Sequence, residues 1–293
     1  MASNAARVSS SILSKFSERF RVNGVGPESL LGGREPATLE VAGSSPSVLA
    51  LHGFGGTSYE VEPVVEVARE LGLCALAPLL PGHGTSVLDL SRKRFPDFSE
   101  AAARAFEELH GNVVLVGFSM GSLLAIDLAV RNPERVIGLV LLGNAISLSS
   151  PFPDLALALI ERFKLPDFFA KKVNGPDIGD SESRATHVTY SAHPVHAAID
   201  VRRAGILARA RLGLVRCPTL VLHGAKDRVC PVENAWRVAE CLGTDDCRVV
   251  IYPHSRHILT RDVERDAVKR EISGFFERLR ALEQARAQTP VEP

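Results

Sequence analysis

Short, continuously apolar runs alternate along this chain with stretches whose apolar positions recur at helical spacing. Thr38 to Val41 and Val48 to Leu51 read as strands, Val61 to Leu71 as an amphipathic helix with Pro63 tolerated in its first turn, and Cys74 to Leu80 as a strand again. The spacing predicts a helix over Phe98 to His110, ended by Gly111, then a strand over Val113 to Val116. A further helix begins at Met120, carries the apolar stretch Leu123 to Ala129 and stops at Asn132-Pro133, before the apolar strand Val136 to Leu142. Strands at Leu220 to Leu222 and Val249 to Tyr252, with helices over Val232 to Leu242 and Val263 to Leu282, complete the series. Strands with no polar alternation must be covered on both faces. Repeated strand-helix units of this kind predict an α/β fold, a mainly parallel sheet flanked by helices with function at the strands' carboxyl ends.

The rhythm breaks between Ile146 and Leu214. This stretch offers no convincing strand but holds the helix-like runs Leu155 to Phe163 and Val195 to Arg211, the Phe168-Phe169 pair and the loop Gly175-Pro176-Asp177. It reads as a helical cap (146–214) inserted into a core made of 38–145 and 215–285, with an amino-terminal extension (1–37) and a flexible tail (286–293). The extension carries Arg7, Lys15, Arg19 and Arg21 among small residues but no apolar stretch long enough for secretion; its composition suits an amphipathic organelle-targeting segment in a eukaryotic source, and the favoured expectation is a short surface helix docked on the domain.

The chemistry concentrates where strands end. Gly117-Phe118-Ser119-Met120-Gly121 lies between an apolar strand and an apolar helix, the context that turns G-x-S-x-G from a common pattern into a nucleophile elbow. A turn that sharp needs glycine two residues before and two after the nucleophile. A serine hydroxyl is a poor nucleophile at neutral pH, so a base and oxyanion donors must accompany it. Asp227 follows the strand Leu220-Val221-Leu222-His223-Gly224 and is the candidate acid, with Asp245 and Asp246 as weaker alternatives. His257 follows the last strand and is the candidate base, with His254 three residues earlier as its rival. The order Ser, Asp, His is that of α/β-hydrolases. His52-Gly53-Phe54-Gly55-Gly56, after the strand ending at Leu51, places the backbone N–H of Phe54 beside that of Met120 as oxyanion donors. His52, His83 and His223 each sit beside a glycine in a tight loop and are expected to tether backbone.

His52-Gly53-Phe54-Gly55-Gly56, Pro81-Gly82-His83-Gly84, Gly117-Phe118-Ser119-Met120-Gly121, Gly224-Ala225-Lys226-Asp227 and Ser255-Arg256-His257 together resemble the motif series of α/β-hydrolases of the bacterial carboxylesterase and monoacylglycerol lipase type. The resemblance covers residues 46 to 280. It favours His257 over His254, because the family's last motif reads Ser, small residue, His, apolar residue. Arg256 is the departure.

Composition changes little in this picture. A chain of 293 residues, 45% hydrophobic, buries a large core, and 34 basic against 34 acidic residues leave no net charge to draw nucleic acid or an anionic membrane. There is no 18-residue apolar run to form an integral membrane segment. Five cysteines, odd in number and without C-x2-C spacing, indicate neither a disulfide framework nor a zinc site, and a reducing cytoplasm is the default.

The expected activity is therefore cofactor-free and metal-free hydrolysis of a small-molecule carboxylic ester through an acyl-enzyme. Phe54, Met120 and the cap residues Leu155, Leu159, Phe163, Phe168 and Phe169 are the candidate acyl-binding surface for short to medium chains. A thioesterase or acyltransferase would share this chemistry. A binding protein that keeps the fold without turnover is the alternative from another class, and the complete catalytic set argues against it.

Overall fold

Adjacent residues of the central strands bury against opposite layers, which is how a sheet with no polar face is built. The computed structural model describes residues 30–31, 35–148, 151–163, 168–172 and 175–288. The expected helix near the amino terminus and the end of the tail lie outside them. The strands are β1 (Leu30–Leu31), β2 (Leu39–Val41), β3 (Ser44–Leu51), β4 (Leu73–Ala77), β5 (Val113–Phe118), β6 (Val136–Leu142), β7 (Phe169–Lys171), β8 (Thr189–Tyr190), β9 (Ala192–Pro194), β10 (Thr219–Gly224) and β11 (Cys247–Tyr252). The helices are α1 (Glu62–Glu70), α2 (Val87–Ser91), α3 (Phe95–Glu108), α4 (Met120–Arg131), α5 (Pro151–Arg162), α6 (Ser181–Thr186), α7 (Val195–Arg211), α8 (Glu233–Cys241) and α9 (Arg265–Gln288).

Seven strands form one sheet in the order β11-β10-β6-β5-β3-β4-β2, parallel except for β2, which runs antiparallel on β4. Leu49, Leu51, Leu115, Leu139 and Leu141 bury on the side of α3 and α4 with Phe98 and Phe106. Val48, Ala50, Val114, Val116, Val140 and Leu142 bury on the other side with Val64, Val65, Val268 and Phe276 of α1 and α9. Each large apolar side chain so covered contributes about 1.5–3 kcal/mol.

The order of strands also positions the site. After β3 the chain moves outward to β4, then returns to lay β5 on the other side of β3, from where β6, β10 and β11 continue away. Connections therefore leave β3 and β5 in opposite directions and open a crevice at their carboxyl ends.

The segment between β6 and β10 is not purely helical, contrary to the expectation of a strandless insertion. Phe169–Lys171 pairs antiparallel with Ala192–Pro194, and Leu30–Leu31 with Thr189–Tyr190. Strands of two or three residues are too short to show a period of two, and their partners are distant in sequence. The short helix α2 was likewise unreadable; the Ser86 hydroxyl caps it by accepting the Asp89 N–H at 3.0 Å. Helix α9 runs past the expected end at Leu282 into what was read as the flexible tail, because Ala, Leu, Glu, Gln and Arg there are strong helix formers.

Candidate active site

Ser119 joins β5 to α4 with φ 53° and ψ −117°, a left-handed backbone conformation that costs a residue with a side chain about 1–3 kcal/mol. The corner is tight because β5, α4 and the end of β3 converge on it. A Cβ on Gly117 would lie 2.4 Å from the Gly121 carbonyl oxygen, and one on Gly121 would lie 2.1 Å from that of Leu51. The strained turn lifts the serine hydroxyl to the crevice.

His257 Nε2 lies 2.9 Å from Ser119 Oγ, and His257 Nδ1 lies 2.7 Å from Asp227 Oδ2. His254 is not brought to the serine: it is exposed, and its backbone N–H donates to Glu264. The Asp227 carboxylate is fully buried, with Oδ1 accepting the N–H groups of Val229 and Cys230 at 2.8 Å each. Burial alone would raise its pKa, but the charges and hydrogen bonds of His257 and His223 outweigh this and hold it below the usual carboxylate range. For His257, burial pulls the pKa down, while the Asp227 charge and hydrogen bond, helped by Asp177 and Glu60, overcome it and leave the imidazole above its ordinary 6.5. Hydrogen-bond placement of the hydroxyl, imidazole and carboxylate in series gives a route for one proton from Ser119 to His257, with Asp227 fixing the tautomer that leaves Nε2 free to accept it.

Most amides of the loop after β3 already have acceptors. Gly53 N–H donates to Glu60 Oε2 at 2.8 Å, Gly55 N–H to His83 Nε2 at 3.0 Å, and Gly56 N–H to the Gly53 carbonyl. Phe54 N–H lies between amides that already have acceptors, and Met120 N–H is at the first turn of α4, where helix amides have no partner within the helix. Two neutral histidines hold this loop. His52 Nε2 accepts the Leu80 N–H at 3.0 Å and His83 Nε2 accepts that of Gly55, while each Nδ1 faces a carbonyl oxygen. Burial lowers both pKa values, which keeps the accepting nitrogens unprotonated. His223 does more than tether its loop: its Nε2 lies 3.1 Å from Asp227 Oδ2 as well as 3.3 Å from the Cys230 carbonyl.

Several contacts at the site have no signature in the sequence. Glu60 is buried in the 3-10 turn Ser58–Glu60 and fixes the Gly53 amide; nothing in its surroundings marks it as an anchor. Thr189 Oγ1 and Tyr190 N–H both donate to the Gly55 carbonyl, at 2.9 and 3.1 Å, and Tyr190 O–H donates to that of Gly82 at 2.8 Å. The insertion thus touches the oxyanion loop directly. Lys172 Nζ donates to Thr189 Oγ1 at 2.8 Å, and burial pushes this amine down to about 8.

The candidate apolar residues differ in exposure. Leu155, Leu159 and Phe163 are 56, 47 and 68% exposed. Leu155 and Leu159 share the solvent-exposed face of α5, which Phe163 continues just past its end, while Glu161 of the same helix pairs with Arg203 on α7. The Met120 side chain is fully buried in the core. Phe168 is half-buried, and Phe169 and Phe54 are partly buried against the same core cluster, with Phe54 stacked on His193 at 5.4 Å. Among the described residues no cluster of three or more His, Cys, Asp or Glu side chains is arranged to hold a metal ion, and no helix is long and apolar enough to cross a membrane.

Residues 44–264 match the family model described as Hydrolase_4, serine aminopeptidase S33. The chain is 25% identical over 253 residues to a thermostable monoacylglycerol lipase of Bacillus sp. (strain H-257), covering 84% of this chain and 96% of that protein. To a carboxylesterase of Bacillus subtilis (strain 168) it is 23% identical over 248 residues, covering 83% and 97%. Among solved structures, that of a metagenome-derived lipolytic enzyme superposes with a TM-score of 0.76 at 26% identity, over 85% of this chain and 99% of the other.

Proposed function

From the premise that the chain belongs to the Hydrolase_4 (serine aminopeptidase, S33) family of α/β-hydrolases, we propose that it hydrolyses carboxylic esters with Ser119 as nucleophile, His257 as base and Asp227 as the acid that orients it. The hydrogen-bonded series from Ser119 Oγ through His257 to Asp227, built on a strained elbow, is the observation that carries this reading. Ser119 attacks the ester carbonyl as His257 Nε2 takes its proton. The tetrahedral oxyanion is held by the N–H groups of Phe54 and Met120, and the proton passes to the departing alcohol. Water activated by the same imidazole then releases the acid. No cofactor enters these steps. The similarity to a monoacylglycerol lipase and a carboxylesterase supports small esters as substrates. The test is turnover of nitrophenyl esters of graded chain length beside a monoacylglycerol and a thioester. Faster turnover of the thioester than of every oxygen ester overturns the ester assignment.

The base must be neutral to work, so the raised pKa of His257 has a definite consequence. kcat/KM rises with pH through an apparent pKa above 6.5 and is level beyond it. An acid limb centred below 6.5, or a flat profile from pH 5 to 8, contradicts the assignment of the base.

Residues 146–214 act in this reading as a cap that forms one wall of the site rather than as a mobile lid. Opening it would break the bonds of Thr189 and Tyr190 to Gly55 and Gly82, each worth about 0.5–1.5 kcal/mol. An insertion of this size supports a modest acyl-binding surface. Each methylene it covers contributes about 0.8 kcal/mol until it is full, which favours acyl chains of roughly four to eight carbons. Rates therefore pass smoothly through the solubility limit of the substrate. A jump in rate when an emulsion forms, or rates still climbing at sixteen carbons, overturns the closed-wall reading.

A further inference from the structure

Asp177 lies in the insertion, yet its contacts reach both loops that carry the acid and the base. Its Oδ2 accepts the N–H of Arg228 at 2.9 Å, next to Asp227, and that of His257 itself at 3.3 Å. Its backbone carbonyl accepts the Ile258 N–H at 3.2 Å, and its Oδ1 lies 4.0 Å from the guanidinium of Arg256. The loop is held from the other side as well. Asp262, fully buried beyond His257, accepts the N–H groups of Gly179 and Asp180 at Oδ1 and that of Arg256 at Oδ2. Ile178, between the two anchored stretches, is fully buried in the core.

Any carbonyl oxygen could satisfy two backbone amides; a carboxylate adds a negative charge. Resting on the reading of Ser119, His257 and Asp227 as the reacting set, we propose that Asp177 is a positioning residue that locks the acid and base loops together and presents a second negative charge to the imidazolium formed at His257, with Arg256 offsetting part of it. Arg256 is the residue at which this chain departs from the family's motif, and Asp177 is its counter-charge.

The groups around His257 come from four directions. Asp227 faces its Nδ1, with His223 behind that carboxylate; Asp177 arrives from the insertion; Arg256 precedes it on its own loop; and Glu60, with His187 at 3.5 Å, lies on the side of the oxyanion loop. Of these, Asp177 and Glu60 supply negative charge without touching the imidazole ring. Removing the Asp177 charge leaves Asp227 in place and destabilises the imidazolium. Removing Arg256 leaves the Asp177 charge uncompensated and stabilises it.

The test is the pH dependence of inactivation by a serine-directed fluorophosphonate, which reports the Ser119–His257 pair whatever the natural ester. In Asp177→Asn, whose amide oxygen still accepts from the two backbone amides, the acid limb moves down by about 0.5 to 1 pH unit and the plateau rate falls roughly 3- to 10-fold. In Arg256→Met the limb moves up. Shifts of opposite sign distinguish a charge acting on His257 from a general loosening of the loops, which would move both variants the same way. Wild-type protein that the phosphonate does not label overturns the proposed function. Labelled wild type with both acid limbs unmoved, or moved in one direction, overturns the role of Asp177 alone.

Discussion

Ser119→Ala abolishes phosphonate labelling and lowers kcat by at least ~10³. The backbone amides of Phe54 and Met120 are unchanged in that variant, so a residual rate above that of water is expected, but no covalent intermediate forms. His257→Ala does comparable damage, because it removes the imidazole whose Nε2 lies 2.9 Å from Ser119 Oγ and takes its proton. His254→Ala leaves the rate within a few-fold of wild type, since that residue is exposed and its backbone N–H, which donates to Glu264, is kept in the variant. Labelling that survives in Ser119→Ala, or a larger loss from His254→Ala than from His257→Ala, sinks the assignment.

Gly117→Ala and Gly121→Ala are expected to destabilise the whole domain rather than only the site. Neither glycine has a positive φ, so the added methyl costs no backbone strain of its own. It has no room. On Gly121 it would sit 2.1 Å from the Leu51 oxygen and 2.6 Å from the Leu51 carbonyl carbon, and on Gly117 2.5 Å from Ser122 Cα. These neighbours are backbone of β3 and α4, which cannot swing aside as a side chain would. Relief requires α4 to move off the sheet, with a cost at or above the ~1–3 kcal/mol of ordinary overpacking. Thermal melting should fall by at least roughly 2 °C in each. Gly72→Ala is the contrast: its φ is +68° with nothing within 4 Å of an added Cβ, so it bears a conformational penalty alone and loses about 1 kcal/mol. Elbow variants as stable as wild type would mean that the turn relaxes freely.

The sheet was legible because its strands are buried on both faces. Val113 to Val116 and Val136 to Leu142 announce themselves as unbroken apolar runs, and the turn after the first carries Gly117, Ser119 and Gly121 in the pattern of a nucleophile elbow. The insertion resisted the same reading. Leu155, Leu159 and Phe163 have the spacing of an apolar helix face, but spacing says only that they share a face. Whether that face turns inward was decided by α7, which takes the other side of α5 through Arg203 and Glu161.

The alternation of apolar runs by itself determined the layered parallel sheet, and glycine punctuation determined where the chain must turn sharply enough to expose Ser119. Asp227 and His257 were visible because each ends a strand, and parallel strands bring their carboxyl ends to one edge. Only the tertiary structure decided what surrounds them: Glu60 on the Gly53 amide, His223 on the Asp227 carboxylate, and Asp177 across 51 and 80 residues to Arg228 and His257. The physical reason is that strand burial and turn strain are local demands, met by neighbouring residue types and therefore written in adjacent letters. A carboxylate that serves a distant backbone amide answers to no local pattern, since every backbone amide is chemically alike and only the fold selects which one it meets.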